Sequence, residues 1–168
     1  MDRQGPISML LGAALLAGAL AAAAATPVAS GRWSFTFTDP RGRPGRPIKV
    51  FTYRPRRCDS ACPILFVMHG AARNAYPYLQ HWELTADPHQ FIVIAPEVSG
   101  KHWPRAAAYN LGDVATEPDR EKWAFSAIEH LFDEVRVGQA GYGIFGHSAG
   151  GQFVQRMALL RPDNRATV

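Results

Sequence analysis

Five consecutive residues, Gly146-His147-Ser148-Ala149-Gly150, have the types and spacing that present a serine as a nucleophile. Their pattern, G-x-S-x-G, is typical of a serine on a sharp turn between a strand and a helix. The elbow glycines, Gly146 and Gly150, leave room where that strand and helix approach each other closely. A helix beginning behind Ser148 would direct its positive end at the oxyanion that forms when the serine attacks a carbonyl group. The pattern predicts Ser148 as a nucleophile; a glycine-rich turn with an incidental serine is the alternative.

Attack on a carbonyl group also needs two preorganised backbone N–H donors for the oxyanion. Ala149, directly after the serine, is expected to provide one of them. The other is expected in the loop His69-Gly70-Ala71-Ala72, which follows an apolar run. Ala71 is the favoured donor there, with Ala72 next. His69 precedes the serine, so we interpret it as a structural histidine that bonds within its loop.

Several elements are needed to position these residues. Alternation of bulky and small residues predicts an antiparallel hairpin of strands over 33–38 and 48–53. Continuous apolar runs over 63–68, 91–95 and 141–145 predict buried parallel strands. Helical spacing of apolar residues predicts helices over 74–86, 121–135 and 152–160. Strands that alternate with helices predict an α/β fold with a mostly parallel sheet. Residues 99–118 are predicted to be a long loop, whose Trp103 and Tyr109 either pack in the core, which we favour, or line a pocket.

The composition is that of a globular protein: 47% of the 168 residues are hydrophobic and 19% are charged. The net charge of +4 comes largely from a basic stretch over 41–57, interrupted by proline and glycine. That mixture favours a solvated loop between two strands, and we expect no nucleic-acid partner. The histidines are scattered without metal-ligand spacing, so we expect no metal.

The N-terminus has the features of a secretory signal. Residues 9–25 form a run of Met, Leu, Ala and Gly that ends in Ala23-Ala24-Ala25. Small residues of this kind are typical of a signal-peptidase site. We predict a signal peptide over 1–25, a mature N-terminus between 26 and 31, and a secreted or periplasmic protein. An uncleaved membrane anchor is the alternative, but the run is short and weakly hydrophobic for one.

Cys58 and Cys62 are the only cysteines. Their C-x₃-C spacing is not a usual zinc spacing, and no second ligand pair accompanies it. In an oxidising compartment we expect them to form a disulfide if the segment between them turns tightly. Two free thiols are the alternative.

The segments PILFVMHGAARNAY, FIVIAPE and GYGIFGHSAGGQFVQRM resemble the secreted polyhydroxybutyrate depolymerase-like serine esterases of the α/β-hydrolase superfamily. The resemblance runs from about residue 53 to residue 162. It implies a three-layer fold, a Ser-His-Asp triad, a small-molecule or polymeric ester substrate, and no cofactor. The nucleophile of the family falls on Ser148, and its oxyanion donors fall on Ala149 and Ala71.

One departure from the family stands out. The triad acid and histidine should follow the serine in the chain. Only 20 residues follow Ser148, with one carboxylate, Asp163, and no histidine. We therefore expect residues 31–168 to be a partial domain that lacks the C-terminal strands and helices and is inactive alone. A non-catalytic or vestigial binding protein of the same fold, or a peptidase of the superfamily, are the alternatives.

Overall fold

Six strands form one sheet in the computed structural model, which describes residues 28–168; the predicted signal peptide over 1–25 lies outside these residues. The strands are β1 (Gly31–Phe37), β2 (Ile48–Arg54), β3 (Ile64–Met68), β4 (Ile92–Glu97), β5 (Tyr142–Gly146) and β6 (Ala166–Thr167). Their order across the sheet is β1-β2-β4-β3-β5-β6. β2 pairs with β1 and β4 in antiparallel fashion, and the other neighbours are parallel. The predicted hairpin and the three predicted parallel strands are confirmed.

Four α-helices connect the strands within residues 28–168: α1 (Ala75–His89), α2 (Arg105–Ala108), α3 (Ala124–Val135) and α4 (Ala149–Leu160). α1 tolerates Pro77 because Pro77 lies in the first turn, where backbone N–H groups have no intrahelical acceptor and the missing N–H group of proline costs no hydrogen bond. α3 begins later than predicted, since the chain first makes a 3₁₀ turn at Arg120–Lys122. α4 begins at Ala149 rather than at 152, so it includes Gly150 and Gly151, which are poor helix formers. Close packing at its start outweighs their low propensity.

Side chains that alternate along the central strands create two cores. On β3, Phe66 and Met68 pack with α3 and α4, whereas Val67 packs with α1. On β4, Ile94 faces the α3 and α4 side, and Val93 faces α1. The sheet is therefore covered on both faces, which gives the predicted three layers.

The basic loop between β1 and β2 packs against the region that precedes and forms α3. Arg43 lies 2.9 Å from Glu117, and Arg46 lies 2.9 Å from Asp113. This segment is a loop between two strands, as predicted. It differs from the predicted solvated loop in that several of its arginines form ion pairs with carboxylates.

Within residues 28–168, no helix is long and apolar enough to cross a membrane.

Candidate active site

Ser148 lies between β5 and α4, at the position that the motif predicts. Its φ of 56° is positive, and with a ψ of −119° the backbone has a conformation that serine rarely adopts. Such a conformation costs about 1–3 kcal/mol and persists only where the surrounding structure enforces it. Ser148 is exposed. The turn therefore holds a strained serine accessible at the carboxyl end of the sheet.

The elbow glycines are required by contacts with backbone atoms. A Cβ atom on Gly146 would overlap the carbonyl group of Gly150. A Cβ atom on Gly150 would overlap the carbonyl group of Met68, at the end of β3. Backbone atoms cannot rotate away as a side chain can, so neither position accepts a larger residue without a shift of the main chain. The two glycines thus bring α4 against β3 and β5.

The two predicted oxyanion donors both lie beside one cavity. Ala149 is the first residue of α4, where an amide has no intrahelical acceptor. Ala71 lies in the loop after β3, and neither amide donates a hydrogen bond to another residue of the described part of the chain. The two loops touch, because a Cβ atom on Gly70 would lie 3.7 Å from Cβ of Ser148. Two free N–H groups therefore lie near Ser148: that of Ala149 within the elbow, the turn over residues 146–150, and that of Ala71 in the loop that touches it.

His69 is fully buried and bonds through both ring nitrogens. Nε2 accepts the N–H group of Val98 at 3.0 Å, so Nδ1 carries the proton and donates to the carbonyl oxygen of Gly70 at 2.9 Å. Burial, with a smaller contribution from the nearby Arg73 charge, lowers the pKa of His69 to about 4. The imidazole is therefore neutral at pH 7 and holds the loop after β3 against the end of β4. The structural interpretation of His69 is confirmed.

Two tyrosines support the same loop. The hydroxyl of the buried Tyr109 donates to the carbonyl oxygen of His69 at 2.6 Å. The hydroxyl of Tyr78, in the first turns of α1, accepts the N–H group of Gly70 at 3.1 Å. It also lies 3.3 Å from Nδ1 of His147. Residues 69 and 70 are thus fixed by partners from the end of β4, from α1 and from the region before α3.

No residue between 28 and 168, histidines included, hydrogen-bonds to the Ser148 hydroxyl. The exposed His147 points to Tyr78. His130 is buried between Asp39 and Glu121, 2.8 Å from each. The described residues contain no group of three or more metal-ligating side chains.

Two cavities flank the serine. The first, of about 300 Å³, is called the arginine cavity below and is lined by Ala71, Arg73, Gly100, Arg105, Ala106, Tyr109, Asn110 and Ala149. The second is a mainly apolar groove of about 560 Å³, lined by Asn74, Pro77, Tyr78, His81, Trp82, Phe145 and His147. Trp103 is buried and lines neither cavity, so its packing role is confirmed. Tyr109 both packs in the core and lines the arginine cavity.

Comparison with known proteins identifies relatives among solved structures. The chain is 39% identical to poly(aspartic acid) hydrolase-1 from Sphingomonas sp. KT-1, with a TM-score of 0.74 over 83% of this chain and 55% of that one. It is 28% identical to a poly(3-hydroxybutyrate) depolymerase from Bordetella parapertussis, with a TM-score of 0.73 over 82% of this chain and 50% of that one. An epoxide hydrolase from an endophytic Streptomyces, 17% identical with a TM-score of 0.54 over 80% of this chain and 35% of that one, shares the fold.

The chain belongs to the α/β-hydrolase superfamily. The predicted fold class and superfamily are confirmed. This α/β-hydrolase chain spans about half the length of the first two relatives. No family model matches it, and no curated protein sequence matches it significantly.

The cysteines of this α/β-hydrolase lie far from the serine in the fold, just before β3. Their Cα atoms are 5.8 Å apart, and the structure joins their sulfurs. The N–H group of Cys62 contacts the carbonyl oxygen of Asp59 at 3.4 Å, so the segment turns tightly. This Cα separation is within the range that a disulfide between Cys58 and Cys62 requires.

Sequence reasoning did not identify Tyr78, Arg73 or Arg105 as parts of the site. Tyr78 contacts a residue eight positions earlier, and Arg73 contacts carbonyl groups 25 to 32 positions away. No local spacing encodes such contacts. The one available signal was the position of Arg73, two residues after the predicted oxyanion donor Ala71.

Proposed function

We propose that this α/β-hydrolase is a serine hydrolase that cleaves carboxylic esters through an acyl-enzyme on Ser148. The observation that carries the proposal is the strained, exposed Ser148 beside the free amides of Ala149 and Ala71. Strain at a polar residue is found mostly at functional sites. Two of the relatives named above, a poly(aspartic acid) hydrolase and a poly(3-hydroxybutyrate) depolymerase, support a hydrolase. A small-molecule or polymeric ester is the proposed substrate.

In the proposed reaction Ser148 Oγ attacks the ester carbonyl carbon as a base takes its proton. The amides of Ala149 and Ala71 stabilise the oxyanion, and the alcohol leaves with a proton. Water then attacks the acyl group and releases the acid and the free serine. The positive end of α4 lies at the same position and favours the negative charge.

The 168-residue polypeptide alone should turn over esters poorly. No histidine of its described residues hydrogen-bonds to the Ser148 hydroxyl, and loss of the triad costs a well-studied serine protease about 10⁶-fold in kcat. A base supplied from outside should partly restore acylation. With p-nitrophenyl acetate, acylation should then be faster than deacylation, because p-nitrophenolate is a better leaving group than the serine alkoxide.

Chemical rescue tests the proposal. The chain is incubated with p-nitrophenyl acetate, with and without imidazole, and acylated residues are located by peptide mass spectrometry. We expect imidazole-dependent acetylation of Ser148 and none in Ser148→Ala. The matched control is Ser99→Ala, a serine in the loop after β4, which should leave acetylation of Ser148 unchanged. Acetylation spread evenly over several serines would refute a special role for Ser148. Saturable turnover without imidazole would instead show that the chain contains its own base.

Amide hydrolysis is the second candidate, because the 39%-identical relative is a poly(aspartic acid) hydrolase. The same experiment with an acetyl p-nitroanilide separates the two. Rescue with the ester alone supports the esterase, and equal rescue with both supports an amidase.

We also propose that the protein is secreted or periplasmic and that its mature form contains the Cys58–Cys62 disulfide. Val28 is buried in the main core, so cleavage before it, after Ala25, preserves that packing. Sequencing of the mature N-terminus should begin at Thr26; a protein that keeps Met1 contradicts secretion by this route. Mass spectrometry without reduction should find neither thiol open to alkylation.

A further inference from the structure

Of the fourteen arginines in residues 28–168, six form no ion pair with a carboxylate of those residues, and two of the six line a cavity beside the serine. Eight lie within 4 Å of an Asp or Glu oxygen: Arg32, Arg41, Arg43, Arg46, Arg120, Arg136, Arg161 and Arg165. Arg73 and Arg105 form no such pair with residues 28–168. Both line the arginine cavity. The charge next to the oxyanion donors is therefore positive and uncompensated.

Arg73 is half-buried and bonds only to neutral groups. Its Nη1 donates to the carbonyl oxygens of Val98 at 2.6 Å and Trp103 at 3.2 Å, and Nη2 donates to that of Arg105 at 2.8 Å. The guanidinium lies 4.3 Å from the ring centroid of Tyr109. Burial lowers the pKa of Arg73, as expected for a cation without a counter-ion. These contacts fix the cation in position but leave its charge unneutralised.

Arg105 is exposed at the start of α2. Its backbone has a φ of 58°, and Arg73 has the same value. Ser148, with a φ of 56°, directly precedes Ala149, which lines the same cavity. Positive φ angles at two arginines that line one cavity, and at the serine next to it, are the clustering of backbone strain found at ligand sites.

The residues that line the cavity determine which sign of ligand charge it favours. It contains two arginines, the amide side chain of Asn110 and the free amides of Ala71 and Ala149, and no acidic residue. A guanidinium forms two parallel hydrogen bonds with a carboxylate, and these charge-assisted bonds are about twice as strong as neutral ones. A neutral ester group offers no charge to match.

We infer that the arginine cavity binds a carboxylate of the substrate, so that the preferred substrates carry a free carboxylate close to the scissile carbonyl group. The inference rests on the proposed function of Ser148, since it places the scissile carbonyl group at Ala71 and Ala149. It adds the substrate class: acidic esters or amides in place of neutral ones. At 300 Å³ the cavity has room for a short acidic chain.

A pair of matched ligands tests this without turnover. The full chain, labelled with ¹⁵N, is titrated with monomethyl succinate and with dimethyl succinate, which differ in one carboxylate. Dissociation constants are read from the amide shifts of Ala71 and Ala149. We expect the anion to bind at least about tenfold more tightly than the diester, with a preference that shrinks as salt rises.

Four variants locate the effect. Arg105→Gln should reduce the preference severalfold, and Arg105→Lys, which keeps the charge, should retain most of it. Arg73→Gln, at the other arginine of the cavity, should also reduce the preference severalfold. Arg57→Gln is the matched control, because Arg57 is also exposed and forms no ion pair with a carboxylate of residues 28–168. Arg57 lies beside Tyr53, which pairs with the start of β4, at the end of the sheet away from Ser148. Arg57→Gln should change nothing, and the dispersion of the spectra verifies that each variant is folded.

Equal affinities for the two ligands, no binding of either, or a preference untouched by both Arg105→Gln and Arg73→Gln would each overturn the inference. The acetylation experiment on Ser148 does not depend on the arginines. Failure there removes the proposed function, whereas failure here leaves an ordinary neutral esterase.

Discussion

The elbow at Ser148 and the loop after β3 touch each other at one reaction centre, but different forces hold them. The elbow is fixed by close backbone contacts at Gly146 and Gly150. The loop is fixed by distant side chains, among them Tyr78 and Tyr109. A turn built on steric contact tolerates almost no added atoms, whereas a loop built on hydrogen bonds loses its support one bond at a time.

The largest effect should come from adding one methyl group to the elbow. Gly150→Ala places a Cβ atom against the carbonyl groups of Met68 and His69. We expect the free energy of unfolding to fall by about 3 kcal/mol, the upper range for overpacking. Urea unfolding followed by circular dichroism measures it. The control, Gly45→Ala, adds the same methyl group where no atom lies within 4 Å, and should change stability by less than about 0.5 kcal/mol. If both variants lost the same amount of unfolding free energy, the elbow would not be sterically fixed.

Acid should weaken the loop and leave the elbow unaffected. The unfolded chain takes up a proton on His69 near pH 6.5, but the folded protein does so only near pH 4 because the ring is buried. Between these values the unfolded state binds more protons. The free energy of unfolding should therefore fall as the pH drops from about 6.5 to about 4, by up to about 3 kcal/mol.

His69→Gln removes this titration and should flatten that part of the pH profile, measured by urea unfolding at several pH values. His81→Gln, at an exposed histidine of α1, serves as the control and should follow the native profile. A His69→Gln profile as steep as that of the native protein would assign the acid sensitivity elsewhere.

The smallest effect should come from one support of the loop. Tyr78→Phe removes the acceptor of the Gly70 N–H group and should cost about 1 kcal/mol. Tyr76→Phe removes a hydroxyl two residues away that makes no hydrogen bond within residues 28–168, and should cost nearly nothing. Equal thermal unfolding temperatures for the two variants would show that Tyr78 does not support the loop.

The same contrast explains what the sequence could predict. The strand, glycines and serine of the elbow are contiguous, and their steric requirements can be read from residue types alone. The hairpin and the buried strands were predictable for the same reason, since alternation and apolar runs are local patterns. The start of α4 was placed too late because glycine propensity is weak evidence where close packing decides.

The support of the loop could not be predicted in this way. Tyr109 reaches His69 across 40 positions, and Arg73 meets Trp103 across 30. Such pairs form only once the sheet has brought the ends of β3 and β4 together. His69 was correctly separated from the catalytic base by chain order, but its partner Val98 had no local signal.

The bond between Val98 and His69 also has a consequence for hydrogen exchange. The Val98 amide follows the last residue of β4 and has no sheet partner, yet it is buried and donates to an imidazole nitrogen. It should exchange with solvent as slowly as amides inside the strands, because the loop must open before water reaches it. A protonated Nε2 can no longer accept that bond, so mild acid should convert this single amide from among the best protected to among the least.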